Sequence, residues 1–98
     1  MVAQHGGVVI TSIGKRQRFE RDVKKLSPEI RSKLKNKLHD LLSTPRPSGL
    51  CFEKLKGYRR PDIYTIHITG NYKLSFEIQG NEAILRRIAC HNQIDRLP

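Results

Sequence analysis

The spacing of the apolar residues changes in the middle of this chain, and that change limits the folds open to it. In the first half, Phe19, Val23 and Leu26 are spaced as on one face of a helix. From Leu50 onwards apolar and polar residues alternate, which is the spacing of strands with one buried face. Helices followed by a run of strands predict an α+β fold.

Two helices are predicted before the change. The first lies within residues 15–26. The second begins with Ser27 as its N-cap and Pro28 in its first turn, and it ends at Leu42, because the prolines and glycine of residues 43–49 cannot continue a helix. The short connection between them predicts an αα-hairpin. A strand is predicted ahead of both helices, in the β-branched run Val8-Val9-Ile10.

The second half predicts an antiparallel meander with one apolar face. The candidate strands are residues 50–55, 62–69, 72–79 and 83–91. The dipeptides Gly70-Asn71 and Gly80-Asn81 are turn signals between the last three. The helices are expected to cover the apolar face, and residues 1–98 are expected to form a single domain.

The composition indicates the cellular location of the protein and the state of its cysteines. No apolar stretch approaches the roughly 20 residues of a membrane span, and the first residues lack the pattern of a signal peptide, so a cytoplasmic protein is expected. Cys51 and Cys90 lie 39 positions apart in apolar segments. They are expected to be free, buried thiols rather than a disulfide.

Positive charge is concentrated in one part of the chain. Residues 15–60 hold fifteen basic and five acidic side chains, which gives that segment the whole net charge of +10. Residues 61–98 are balanced, with four of each. A field so concentrated favours a polyanionic partner, either nucleic acid or an acidic protein segment, over a basic surface without a partner.

The polar face of the meander carries the residues that are suited to catalysis. Strand alternation places His67 and Lys73 on that face, and it adds Arg87 and His91 if Ile88 and Cys90 enter the core. The same alternation separates Cys90 from His91, which argues against a thiol–imidazole pair. Zinc-ligand spacing is absent, so a metal site is not expected.

Two histidines with cations on one polar face are suited to metal-free RNA cleavage. An imidazole can move a proton near neutral pH, and cations can stabilise the phosphorane formed when a 2′-OH attacks the adjacent phosphate. The structural alternative is that each histidine only satisfies local packing. His5 and His39 are expected to be solvated.

The order of these features resembles the RelE/ParE superfamily of bacterial toxin–antitoxin toxins. The resemblance runs through "FERDVKKL", "SPEIRSKLKNKLHDLL", the break between Pro45 and Gly49, "LKG" and the closing "DIYTIHITGNYKLSFEIQGNEAILRRIACH". Within the superfamily the second half is most similar to YafQ-like, ribosome-dependent mRNA interferases. The resemblance implies a RelE-like fold, with an N-terminal strand, an αα-hairpin and a meander covered on one face by the helices.

The resemblance also implies a function and a set of site residues. It implies an endoribonuclease toxin, without metal or cofactor, whose partners are an acidic antitoxin, mRNA and the rRNA of the 70S ribosome. His91 and His67 match the positions of catalytic histidines, and Arg87 is placed to reach the scissile phosphate. The residues expected to bind RNA are Lys54, Lys56, Arg59, Arg60 and Lys73.

Four positions depart from the YafQ-like pattern. Glu53 stands in place of a histidine, Asn71 in place of an acid, Lys73 in place of an arginine and Asp95 in place of an aromatic residue. These departures leave two other functions open: a ParE-like inhibitor of DNA gyrase, and an inactive module that binds nucleic acid or antitoxin.

Overall fold

The computed structural model describes residues 9–43 and 45–98. It contains five strands, three α-helices and a short 3₁₀ turn at Ser48–Leu50. The strands are β1 (Ser12–Lys15), β2 (Glu53–Lys54), β3 (Tyr64–His67), β4 (Tyr72–Gln79) and β5 (Glu82–Cys90). The helices are α1 (Gln17–Lys24), α2 (Pro28–Leu42) and α3 (His91–Arg96). No helix in the described ranges is long and apolar enough to cross a membrane.

One mixed sheet of order β1-β5-β4-β3-β2 forms the framework. The β3–β4–β5 meander is antiparallel, as predicted, and β1 is added parallel to β5 at the edge. Helices α1 and α2 cover one face, where buried side chains of both helices join those of the strands in a single cluster. Its fully buried members include Leu41, Leu74, Phe76 and Leu85. The predicted α+β fold is therefore confirmed.

Local chemistry explains the αα-hairpin. The Ser27 hydroxyl accepts a hydrogen bond from the Ile30 amide, which caps α2 where the sequence predicts it. The guanidinium of Arg31 donates to the carbonyls of Val23 and Lys24 at 3.1 Å each. These carbonyls belong to the last turn of α1, where a helix lacks internal partners, so Arg31 ties the two helices together.

The first predicted strand is wrong in its position. Val8 lies outside the described residues, and Val9 and Ile10 precede the strand, which begins at Ser12. The side-chain amide of Asn81 donates to the Val9 carbonyl at 2.8 Å, and the Thr11 amide donates to the Asn81 carbonyl at 2.7 Å. The β4–β5 turn therefore holds this segment before regular pairing with β5 starts.

The predicted strands also differ in length from those observed. The strand predicted at 50–55 is reduced to two residues, and that predicted at 62–69 to four. The strand predicted at 83–91 begins and ends one residue earlier, and His91 starts a helix that the alternation did not indicate.

A β-bulge in β5 changes the predicted facing of its residues. Ser75 is opposite Arg87 while Phe76 is opposite Leu85, so Arg86 is an extra residue. Leu85 therefore enters the core, contrary to simple alternation. Arg86 avoids the core and donates to the buried carboxylate of Glu77.

Both cysteines are free, as predicted, but neither is buried. Cys90 is paired with Tyr72 at the end of β5 and caps α3. Its place in the alternation is on the helix-covered face, but it is the last residue of β5 and is exposed. The prediction of buried thiols is wrong because both cysteines lie where regular structure is interrupted, Cys51 before β2 and Cys90 at the junction of β5 and α3.

Glu77 gives the fold a pH-dependent ion cluster. Its side chain is 3% exposed and accepts hydrogen bonds from Arg16, Arg86 and Gln79. Burial alone would raise the pKa of Glu77, but the hydrogen bonds of Arg16 and Arg86 and the charge of Arg16 outweigh it and hold the pKa below its usual value of 4.5. A carboxylate with a lowered folded pKa contributes stability above its unfolded pKa and loses it as the pH falls through the folded pKa.

Glu77→Gln is therefore expected to lower the free energy of unfolding by about 1–3 kcal/mol at pH 7, where two arginines lose a charged acceptor. The difference between wild type and variant should shrink below about pH 4.5, as the wild-type carboxylate becomes protonated. Urea unfolding at pH 7 and pH 3 measures both values, with exposed Glu20→Gln as the control. The same difference at both pH values would contradict the assignment.

Candidate functional site

His67 and Lys73 are neighbours across strands β3 and β4. They are directly opposite in the register, and Ala89 of β5 is opposite Lys73 on the other side. Directly opposed residues point to the same face with Cβ atoms about 5 Å apart. Thr65 and Ser75 share this face, which is the one opposite α1 and α2. We refer to it as the histidine face.

Helix α3 brings His91 and Asp95 to the same place. It begins directly after β5 and packs against β4 and β5. The His91 amide donates to the Asn71 carbonyl at 2.8 Å, so the start of α3 is fixed to the β3–β4 turn. One helical turn later, Asp95 Oδ1 lies 2.9 Å from Lys73 Nζ, and Asp95 Oδ2 lies 4.0 Å from His91 Nδ1.

The register relates His67 to Lys73, and the two distances relate Asp95 to Lys73 and His91; we call these four residues the histidine row: His67, Lys73, Asp95 and His91. The side chain of Lys73 is 12% exposed, whereas those of His91 and Asp95 are both 47% exposed. The row thus combines two imidazoles with a cation held in place by a carboxylate. This arrangement can move protons and stabilise negative charge at one location.

Arg87 lies on the histidine face by register, opposite Ser75, as predicted. Its guanidinium is directed to the outer edge of β5. There Nε donates to Asp22 Oδ2 at 3.2 Å, and another nitrogen donates to the Leu97 carbonyl at 3.3 Å. Asp22 Oδ2 also accepts a hydrogen bond from the Ile88 amide at 3.1 Å. It thereby takes the place of a strand partner, since β1 ends before this point. Arg87 therefore connects the end of α3 to α1.

The predicted RNA-binding residues before β3 are divided between two places. Lys54 is opposite Tyr64, which places it at the edge of the helix-covered face, and it lies 3.4 Å from the carboxylate of Asp62. Lys56 and Arg59 line a cavity of about 350 Å³ in the following loop, and Arg60 is exposed next to them. The sheet register therefore does not bring Lys54 into the histidine row.

Tyr58 links that loop to the site. Its hydroxyl donates to the Arg96 carbonyl at 3.3 Å, at the last residue of α3. The turn that carries Tyr58 depends on Gly57, whose φ of 87° is readily adopted only by glycine. Lys56 and Arg59 are thus held beside the helix that supplies His91 and Asp95.

Asp95 is the site residue whose role the sequence reasoning missed. The sequence identified it only as a departure from an aromatic residue. His91 and Asp95 are four residues apart, a spacing that faces two side chains toward each other only on a helix. A strand was predicted through residue 91, and on a strand this spacing does not indicate a contact. The contact depends on α3.

The fold and site together define a class: a small α+β protein in which an αα-hairpin covers one face of a sheet and polar residues gather on the other. Solved structures of toxin–antitoxin systems share this architecture. A chain of the RelB–RelE antitoxin–toxin complex from Methanococcus jannaschii is 27% identical, with a TM-score of 0.65, and the match covers 87% of this chain and 99% of that one.

Two further structures agree. A chain of the Escherichia coli DinJ–YafQ toxin–antitoxin complex is 19% identical, with a TM-score of 0.69 over 84% of this chain and 93% of that one. A chain of the archaeal RelE–RelB complex from Pyrococcus horikoshii OT3 is 12% identical, with a TM-score of 0.67 over 87% and 99%. The sequence matches no protein-family model and no curated protein. The predicted resemblance is confirmed: this chain has a RelE-like toxin fold.

Proposed function

We propose that this protein is the toxin of a toxin–antitoxin system and cleaves mRNA on the ribosome. The observation that carries the proposal is the histidine row, in which two histidines and a lysine paired with Asp95 lie at the sheet face opposite α1 and α2. A gyrase inhibitor with this fold needs no acid–base groups, whereas RNA cleavage without a metal requires them.

The proposed reaction is attack of the ribose 2′-OH on the adjacent phosphate. One imidazole of the row removes the 2′-OH proton, and the other donates a proton to the departing 5′ oxygen. The products are a 2′,3′-cyclic phosphate and a free 5′-OH, so no water is consumed in this step. His67 and His91 fill the two roles, with His91 as acid or base and His67 as its counterpart.

Lys73 stabilises the phosphorane in this proposal. Lys73 is opposite His67 in the register, and its ammonium group lies 2.9 Å from Oδ1 of Asp95, one helical turn after His91. A cation held before the reaction stabilises developing charge without reorganisation. Asp95 is a positioning residue, since it contacts both Lys73 and His91. Arg87 positions the end of α3 through Leu97, and its remaining donors are available to the phosphate.

Other basic residues bind the polyanions. Lys56, Arg59 and Arg60 lie in the loop that Tyr58 attaches to α3, and they are proposed to hold the mRNA backbone together with Lys54. Exposed lysines of α2, including Lys33 and Lys35, are proposed to contact rRNA. An acidic antitoxin is proposed to neutralise this basic surface in the cytoplasm of a bacterium.

The test is incubation of the purified protein with translating 70S ribosomes and a reporter mRNA, followed by mapping of new 5′ ends. Cleavage within codons is expected, only when the ribosome is present, and with 5′-OH ends. His67→Gln should reduce cleavage, whereas His39→Gln, an exposed histidine on α2, should not.

A supercoiling assay with DNA gyrase runs in parallel. Intact mRNA together with gyrase inhibition would reject the nuclease and establish the ParE-like alternative. Intact mRNA with active gyrase, but with binding to RNA or an antitoxin, would establish an inactive binding module.

A further inference from the structure

Four arginines surround a small cavity away from the histidine row. Arg16 precedes α1, Arg18 lies in its first turn, and Arg86 and Arg87 are consecutive in β5. With Pro98 they line a cavity of about 230 Å³. Arg86 is five residues before His91 along the chain, a distance of roughly 16 Å in extended backbone. The cavity therefore lies apart from the histidine row, although Arg87, which the proposed reaction also uses, is part of its lining.

The charges around this cavity are only partly compensated. Glu77 accepts hydrogen bonds from both Arg16 and Arg86, and Asp22 accepts one from Arg87. Two carboxylate side chains thus serve four guanidinium groups, so positive side chains outnumber negative ones around the cavity. Guanidinium groups that share one small cavity repel each other unless an anion lies between them.

Hydrogen-bond donors that lack an acceptor among the described residues also favour an anion in this cavity. Arg18 is exposed and has no hydrogen-bond or ion-pair partner among residues 9–43 and 45–98. Nε of Arg86 is buried and lacks an acceptor within the same ranges. A buried donor without an acceptor is unfavourable, and an anion with several oxygens would correct it.

We propose that this arginine cavity binds a phosphate group. Guanidinium groups bind phosphate through paired N–H···O hydrogen bonds, and a phosphate carries enough charge and acceptors to satisfy several of them. The phosphate belongs either to a free inorganic anion or to the backbone of an RNA strand. No residue of the histidine row lines the cavity, and Arg87 is the one arginine that it shares with the proposed reaction.

Thermal unfolding of the full chain in inorganic phosphate, compared with chloride at equal ionic strength, tests the site. At about ten times the dissociation constant, phosphate should raise the Tm of wild type by about 5–10 °C. Arg18→Gln should lose this rise. Arg21→Gln, which removes the same charge from an exposed position of α1 outside the cavity, should keep it.

A second arm identifies the source of the phosphate. It measures binding of an oligoribonucleotide with 2′-O-methyl groups, which cannot be cleaved. If the site takes an RNA phosphate, Arg18→Gln weakens RNA binding more than Arg21→Gln does. If the site takes a free anion, the two variants bind RNA equally. Both results support a phosphate site.

Two outcomes would overturn the proposal. They are an equal Tm rise in chloride and an equal response of both variants to phosphate. None of these readouts depends on RNA cleavage, so a failed nuclease assay leaves the test of the cavity valid.

Discussion

His91→Gln is expected to lower mRNA cleavage on the ribosome by about 10²–10⁴-fold, the usual contribution of a general acid or base. Glutamine retains hydrogen-bonding groups but cannot exchange a proton near neutral pH. The His91 side chain is 47% exposed and its amide, which the substitution keeps, makes the contact to the Asn71 carbonyl. The fold should therefore be unaffected, and the Tm should change little.

Single-turnover cleavage of ribosome-bound mRNA measures this loss. Binding of the variant to ribosomes shows whether the loss is confined to the chemical step. Binding should remain at the wild-type level while the rate falls. Cleavage at the wild-type rate would remove His91 from the mechanism. A rate loss matched by a fall in ribosome binding or in Tm would make its role structural.

The sequence predicted the fold well where local and overall patterns agreed. The cap formed by Ser27 and Pro28 and the alternation of β4 each had one reasonable interpretation, and the structure has both. The alternation of β5 misled for a physical reason, because the bulge at Arg86 inserts one residue and reverses the facing before it. A bulge depends on cross-strand contacts, such as that of Arg86 with Glu77, which a linear pattern does not contain.

The candidate site was predicted in part. His67 and Lys73 follow from alternation alone, since they lie on regular strands. Asp95 could not be predicted, because its contact with His91 requires α3, a helix of six residues. So short a helix has little periodicity to detect and is stabilised by packing on β4 and β5.

In the proposed reaction, Lys73 is expected to contribute almost as much as His91. Lys73→Gln should lower the cleavage rate by about 10²–10³-fold, the loss typical when one group that stabilises transition-state charge is removed. Lys73→Arg should retain most of the rate, because it keeps the positive charge and can still pair with Asp95. The cleavage rate of Asp95→Asn should lie between those of these two variants, since the ammonium group is present but is no longer fixed at 2.9 Å from a carboxylate.

The order of the three rates separates charge from position. Single-turnover measurements on ribosome-bound mRNA give the rates, and Lys56→Gln is the control for loss of a nearby positive charge in the exposed loop. That control should weaken binding of mRNA more than it slows cleavage at saturation. Full activity in Lys73→Gln would contradict the role of Lys73. Equal losses in Lys73→Gln and Lys73→Arg would show that charge is not what this position supplies, because arginine preserves the charge and alters only the shape of the head group.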